Sequence, residues 1–367
     1  MMHLPSLRRL ALGSIAAAVL AACQTPAVRP DTPLGEAPAA ASTPRDSVPV
    51  LTPEMAANAQ MLTKMAALQD RLYRVAAPLL INNAELCKSQ ARNLLGFTAK
   101  NRYSYPGEFN EAAHAAFGMG ERLQVTGVLA GSGAAKVGLR AGDGLVAAAG
   151  KTLPTGPNAL ASAGAVFGPI VASKAALPLT IERAGDSEKF RDLNVPVTRA
   201  CAFAIELGNA DSINAYADGS RVMVTRGLIA FTRNDNELAY VVAKTMAHNM
   251  LGHAAMQRNA ATIGDIINSL ISVRPDTSML IGSGGIKAMP ADLDVVADRL
   301  SLYLLARAGY DIDGAANFWK RLHGTYPPTI LNGYVANHPA TNARVAALEK
   351  AENEVKAKRA AKKALVP

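Results

Sequence analysis

Apolar residues recur every three or four positions over residues 53–86. Met61, Met65, Leu68, Leu72 and Val75 line one face of a helix that Pro78 is expected to bend or end. The period then changes. Between 117 and 198 the chain alternates in the manner of strands: Leu123-Gln-Val-Thr-Gly-Val-Leu129 first, then 144–148, 177–181 and 193–197. Beyond Cys201 the helical period returns. Asn214-Ala-Tyr-Ala-Asp-Gly219 reads as a turn into a strand at 221–225, followed by a long helix over 236–256 with Asn234 or Asp235 as its N-cap. A further helix over 291–308 stops at Gly309, a third begins near Asp313, and a last one begins near Pro339 and runs into a basic tail. Residues 259–290 mix apolar positions with Gly282-Ser-Gly-Gly285 and are expected to include a flap.

Half of the 367 residues are hydrophobic, which excludes general disorder. Three cysteines cannot build a Cys-rich zinc site, whereas six histidines suffice for one His-based metal site. The net charge of +9 does not define a nucleic-acid surface. Arg8 and Arg9 hold two of these charges and Lys356, Lys358, Arg359, Lys362 and Lys363 five, so two remain for the rest of the chain. No nucleic-acid partner is expected.

Arg8 and Arg9 precede a short apolar run ending at Ala22, too short for a comfortable membrane span and read as a secretory signal over residues 1–22. Leu20-Ala21-Ala22-Cys23 resembles the lipobox of bacterial lipoproteins, which implies a lipid on Cys23 and a periplasm-facing place at the bacterial envelope. Residues 23–52, rich in Pro and Ala, form the expected tether. Cys87 and Cys201 then remain in an oxidising compartment, where a structural disulfide between them is expected.

Ala130-Gly-Ser-Gly-Ala-Ala-Lys-Val-Gly-Leu-Arg-Ala-Gly-Asp143 resembles a stretch of bacterial PDZ domains. That resemblance implies a PDZ-like module over 117–198, with Phe117, Gly118, Met119 and Gly120 as the loop that receives a peptide carboxylate.

The order of landmarks in the rest of the chain resembles family forty-eight metallopeptidases, the gluzincins that include the HtpX-like and CAAX-prenyl proteases. These landmarks are Asn-Ala-Tyr-Ala-Asp-Gly, Val-Thr-Arg-Gly-Leu, Asn236-Glu-Leu-Ala-Tyr-Val-Val242, Leu302-Tyr-Leu-Leu-Ala-Arg-Ala-Gly-Tyr310 and Asn337-His-Pro-Ala-Thr-Asn-Ala-Arg344. The resemblance covers about 87–348 apart from the inserted stretch. It implies an α+β fold, a mainly helical peptidase-like domain with a small β-rich PDZ-like insertion. The helical part would span 53–116 and 199–348, followed by the basic helical tail 349–367. In that family His-Glu-x-x-His and a downstream Glu-x-x-x-Asp hold zinc and activate water.

Here the pattern breaks. In the register that fits, Lys244 stands at the first ligand position, Thr245 at the base, His248 at the second ligand, Asp294 at the third and Asp298 at the trailing aspartate. An ammonium offers no lone pair, and a threonine is no general base near neutral pH. Peptidase chemistry by the usual route should be absent, with no cofactor. The alternative is a zinc endopeptidase using His248, Asp294 and a third ligand. Lys244 is expected to bridge to Asp294 in place of the metal, and His248 to serve as a core histidine. His253, expected on the helix surface, His338 and Arg344 are cleft candidates, and the 222–225 strand is expected to edge the cleft. The implied partner is a peptide or an envelope protein.

Overall fold

The computed structural model describes residues 51–367 apart from 174, 257–259, 276, 278–285 and 330–332. The signal, Cys23 and the tether up to residue 50 lie outside the described residues, as does most of the glycine-rich flap, residues 278–285. No helix among the described residues is long and apolar enough to cross a membrane.

Helix α1 (Pro53–Asn82) starts at Thr52, whose hydroxyl accepts from the Met55 amide (3.2 Å), and it runs through Pro78 without ending there. Proline removes one helical hydrogen bond, but Leu72, Val75, Ala76, Ala77, Leu79 and Leu80 are all buried around it. Packing of that face outweighs the local defect.

The chain then enters two sheets in turn. Strand β1 (Ala91–Leu94) pairs antiparallel with β8 (Thr198–Cys201), closing off everything between them as an insertion. Inside it, β2 (Phe97–Lys100), β3 (Gln124–Val128), β4 (Gly144–Ala148), β6 (Ala176–Glu182) and β7 (Phe190–Pro196) form a sheet in that order, with β5 (Lys151–Thr152) paired to β4. The sheet thus takes its edge strand, β2, from well before residue 117. Helices α2 (Asn110–Phe117), α3 (Gly133–Lys136) and α4 (Ala159–Ser173) lie between the strands. Leu123, Val125, Leu145, Leu177, Ile181 and Val195 fill its separate core.

After β8 a three-stranded sheet forms from β9 (Ala204–Gly208), β10 (Ala215–Ala217) and β11 (Arg221–Thr225), in the order β10-β11-β9. The residues 214–219 expected as a turn therefore contribute a strand. Helix α5 (Arg226–Phe231) leads to α6 (Asp235–Met250), capped by the Asn234 side-chain Oδ1, which accepts from the Glu237 amide (3.0 Å). The long helix expected to 256 breaks at Gly252, whose φ of 69° is left-handed, and α7 (His253–Met256) restarts beyond it. Helix α8 (Ala260–Leu270) follows. Helix α9 (Ala291–Ala308) stops at Gly309 (φ 84°), and α10 (Ala315–Thr325), α11 (Gly333–Asn337) and α12 (Asn342–Ala360) complete the chain.

The main core joins α1, α6, α9 and α10 through residues such as Leu79, Val242, Leu302 and Phe318. The basic tail is not free: Val355 is buried, Lys356 meets Asp313 (3.0 Å) and Glu352 (2.7 Å), and Lys358 donates to the Val366 carbonyl (2.7 Å). Cys87 and Cys201 form a disulfide beside the β1–β8 ladder.

Candidate functional site

Every α6 residue from 238 to 249 is buried, so polar side chains here must find partners within the protein. Lys244 finds them on α9. There Asp294 sits in the first turn, where the helix dipole favours a carboxylate, and Asp298 follows one turn later on the same face. The Lys244 Nζ donates to Asp294 Oδ1 and to Asp298 Oδ1, each at 2.6 Å. The expected Lys244–Asp294 bridge is present, and it is doubled.

A second cation closes the cluster. Arg344 lies in the first turn of α12, which Thr341 caps. Its Nε bonds Asp298 Oδ2 and lies 3.2 Å from Asp294 Oδ2, and its Nη2 reaches Asp298 Oδ1 at 3.1 Å. Two buried carboxylates thus face two buried cations. The Trp319 ring lies near both, 5.7 Å from the Lys244 Nζ and 5.4 Å from the Arg344 guanidinium carbon. The spacing argument that pairs Lys244 with Asp294 says nothing of Arg344 as the second counter-charge, nor of Trp319.

Burial, the largest influence, works to raise both aspartates, but Lys244 and His338 at Asp294, and Lys244 and Arg344 at Asp298, together with the hydrogen bonds these carboxylates accept, outweigh it. Both carboxyls are held well below their ordinary range. Burial and the Arg344 charge push Lys244 down, while Asp298 and Asp294 hold it up. A cluster satisfied in this way resists the loss of any one member far more than it adds stability.

Three histidines pack beside it. His338, just after α11, places Nδ1 2.8 Å from Asp294 Oδ1. His248 Nε2 lies 3.5 Å from the same oxygen and makes no hydrogen bond. The break at Gly252 folds His253 back from the expected surface position, burying it with its Nδ1 2.8 Å from His248 Nδ1. Burial drives His248 down to about 3, against the pull of Asp294, and also lowers His253 and His338. Thr245, expected at the position of a catalytic base, turns its hydroxyl onto its own helix, donating to the Val241 carbonyl at 2.8 Å.

His248, Asp294 and His338 offer ligand atoms within 4.8 Å of one another, close enough in principle for one ion. The chemistry of the set argues otherwise. Asp294 Oδ1, the oxygen they share, already accepts from the Lys244 ammonium, which would stand against a dication. These residues, as arranged, do not fit zinc.

The space beside the cluster is small. A cavity of ≈ 40 Å³ is lined by Thr245, His248, Tyr334, His338, Ile286 and Met289. The strand expected to edge this cleft, 222–225, lies inside the sheet, and β10 is the edge strand instead. The Phe117–Gly120 loop also differs from expectation. It ends α2 and leads to β3, an interior strand, so no partner strand can add beside it. Its carbonyls are engaged: Phe117 accepts from the Gln124 side chain (3.1 Å), Gly120 accepts from the Arg102 amide (3.1 Å), and Met119 lies 2.9 Å from His114 Nδ1. Met119 itself is buried against Leu62 and Phe109.

A much larger opening lies along β2. One groove of ≈ 350 Å³ and another of ≈ 490 Å³ share Tyr73, Thr98 and Glu206. The signal for it in the sequence is short: Gly96, left-handed at φ 78°, precedes the alternating Phe97-Thr-Ala-Lys100.

The site thus sits in an α+β domain, with helices α6 and α9 at its buried centre and the three-stranded sheet beside them. Residues 187–352 match the model of peptidase family M48. It is similar to the beta-barrel assembly-enhancing protease of Yersinia pestis, 28% identical over 175 residues, which is 42% of this chain and 35% of that protein. The protein of the same name from Escherichia coli (strain K12) is 26% identical over equal shares. The mitochondrial metalloendopeptidase OMA1 of Schizosaccharomyces pombe is 24% identical over 155 residues, 40% of this chain and 45% of its own length. The matched stretch thus spans about a third of the bacterial relatives and under half of the yeast one.

Proposed function

We propose that this is a non-catalytic member of its family, anchored at the bacterial envelope through lipidated Cys23, that works by binding an extended peptide or envelope protein. One observation carries the reading: the Lys244 ammonium, 2.6 Å from both Asp294 and Asp298, supplies the charge that a metal would otherwise bring to those carboxylates. Thr245 adds to it, since a hydroxyl bonded to its own helix cannot take a proton from water at neutral pH. The small cavity beside His248 favours binding elsewhere. The PDZ-like insertion offers the edge of β2, with Phe97 packed edge-on to Phe167 of α4 (6.2 Å).

Metal analysis of the purified protein, combined with cleavage of an unfolded substrate such as casein, tests this. The expected result is substoichiometric zinc and no chelator-sensitive cleavage. About one zinc per chain with cleavage lost to chelator would overturn it. That outcome would establish the second reading, a zinc endopeptidase of the envelope, which the proximity of His248, Asp294 and His338 favours. The anchor has its own test: Cys23→Ser should shift the protein from the membrane fraction to the soluble one.

A further inference from the structure

Strands β2 and β9 each stand at the end of their sheets, and both line the same groove over α1. A sheet edge presents backbone groups that accept another strand. Part of the β9 edge is already met by a side chain imitating one: Gln69 donates its amide to the Ile205 carbonyl (3.2 Å) and accepts from the Leu207 amide (3.0 Å).

The groove walls are mainly apolar, with Tyr73 and Leu160 among them, but they carry two opposite charges. The carboxylate of Glu206, on β9, has no hydrogen-bond or ion-pair partner among the described residues. Burial pushes its carboxyl up, and Lys100 and Arg221 oppose that only through space. Lys100, at the end of β2, leans over the Tyr105 ring with its Nζ 5.4 Å from the centroid. A half-buried carboxylate without a contacting cation is costly to keep charged and gains most from a basic group brought to it.

We infer that this groove receives an extended peptide strand that adds to the β2 edge and sets a basic side chain against Glu206. The inference rests on the reading of the protein as a peptide binder and names the partner's chemistry. The two modules act as one clamp, the insertion supplying the strand edge and the peptidase-like part supplying the carboxylate.

The test uses the full-length chain in detergent and three fluorescent peptides of alternating Val and Thr with one central Lys, Gln or Glu. Anisotropy should show the Lys peptide binding about tenfold tighter than the Gln peptide and the Glu peptide weakest. Glu206→Gln should cut the Lys preference below about twofold, and Leu160→Glu should weaken all three. Leu160 is half exposed, so this variant is expected to fold, as its thermal melt would show. Equal affinities for the three peptides, all lost in Leu160→Glu, would overturn the charge assignment and leave the peptide-binding reading standing. Binding of none of the three would overturn both.

Discussion

The molecule gathers charge in two places, and it treats them in opposite ways. Around Lys244, two carboxylates, an ammonium and a guanidinium are sealed from solvent and bonded to one another. Between β2 and β9, Lys100 and Glu206 face an open groove with no carboxylate–cation contact between them. A closed cluster penalises the loss of any one member, and an open carboxylate stands to gain from a basic group brought to it. The positions where a metal was expected form the first kind, and the groove proposed for recognition forms the second.

The sharpest test of this contrast is stability. Asp298→Ala should cost about 3–5 kcal/mol in denaturant melts, because it leaves two buried cations facing one carboxylate. A loss below about 1 kcal/mol would show that water reaches the cluster and would erase the distinction. Reversal is the next test. Lys244→His combined with Thr245→Glu should give zinc binding detectable by metal analysis, and a hundredfold excess of zinc over its Kd should add about 2.7 kcal/mol of stability. Unchanged melting in zinc would mean that the helices no longer stand where a metal needs them.

The pH profile is the third test. Folded His248 titrates near 3 against an ordinary value of 6.5, so below about pH 6.5 the unfolded chain takes a proton that the folded one refuses. Stability should fall as pH drops toward 4.5, by about 1.4 kcal/mol per unit from His248 alone. His253 and His338 shift in the same direction and steepen the slope. The aspartates add their own loss only below their unfolded range, near 4. Melts from pH 7.5 to 5.0 would show the slope, which His248→Asn should reduce, and a flat profile would mean that a proton is already shared within the cluster. The smallest effect belongs to the open site, where Glu206→Gln should change stability by less than about 0.5 kcal/mol.

Much of this was legible from spacing. The four-residue steps 244–248 and 294–298 place the key side chains on facing helical stripes, and Gly309 marks the end of α9 as expected. What spacing cannot show is what arrives from afar. Arg344 and Trp319 join the cluster only through tertiary packing. Gly252 within an apolar run is compatible with a helix or a break, and the packing of His253 against His248 goes with the break. Strand β2 is four residues long, too short for alternation to stand out. Pro78 reads as a helix end by local rules and is overruled by the buried face around it.

The Cys87–Cys201 bond also ties the chain's path to its durability. The two sulfurs span 114 residues, and the whole six-stranded sheet is threaded inside the ring they close. A protease that nicks any exposed turn of that sheet cuts the ring without separating the peptidase-like halves. The nicked protein would then run as one chain on a non-reducing gel and as two pieces once reduced, its two halves still held together by the one bond.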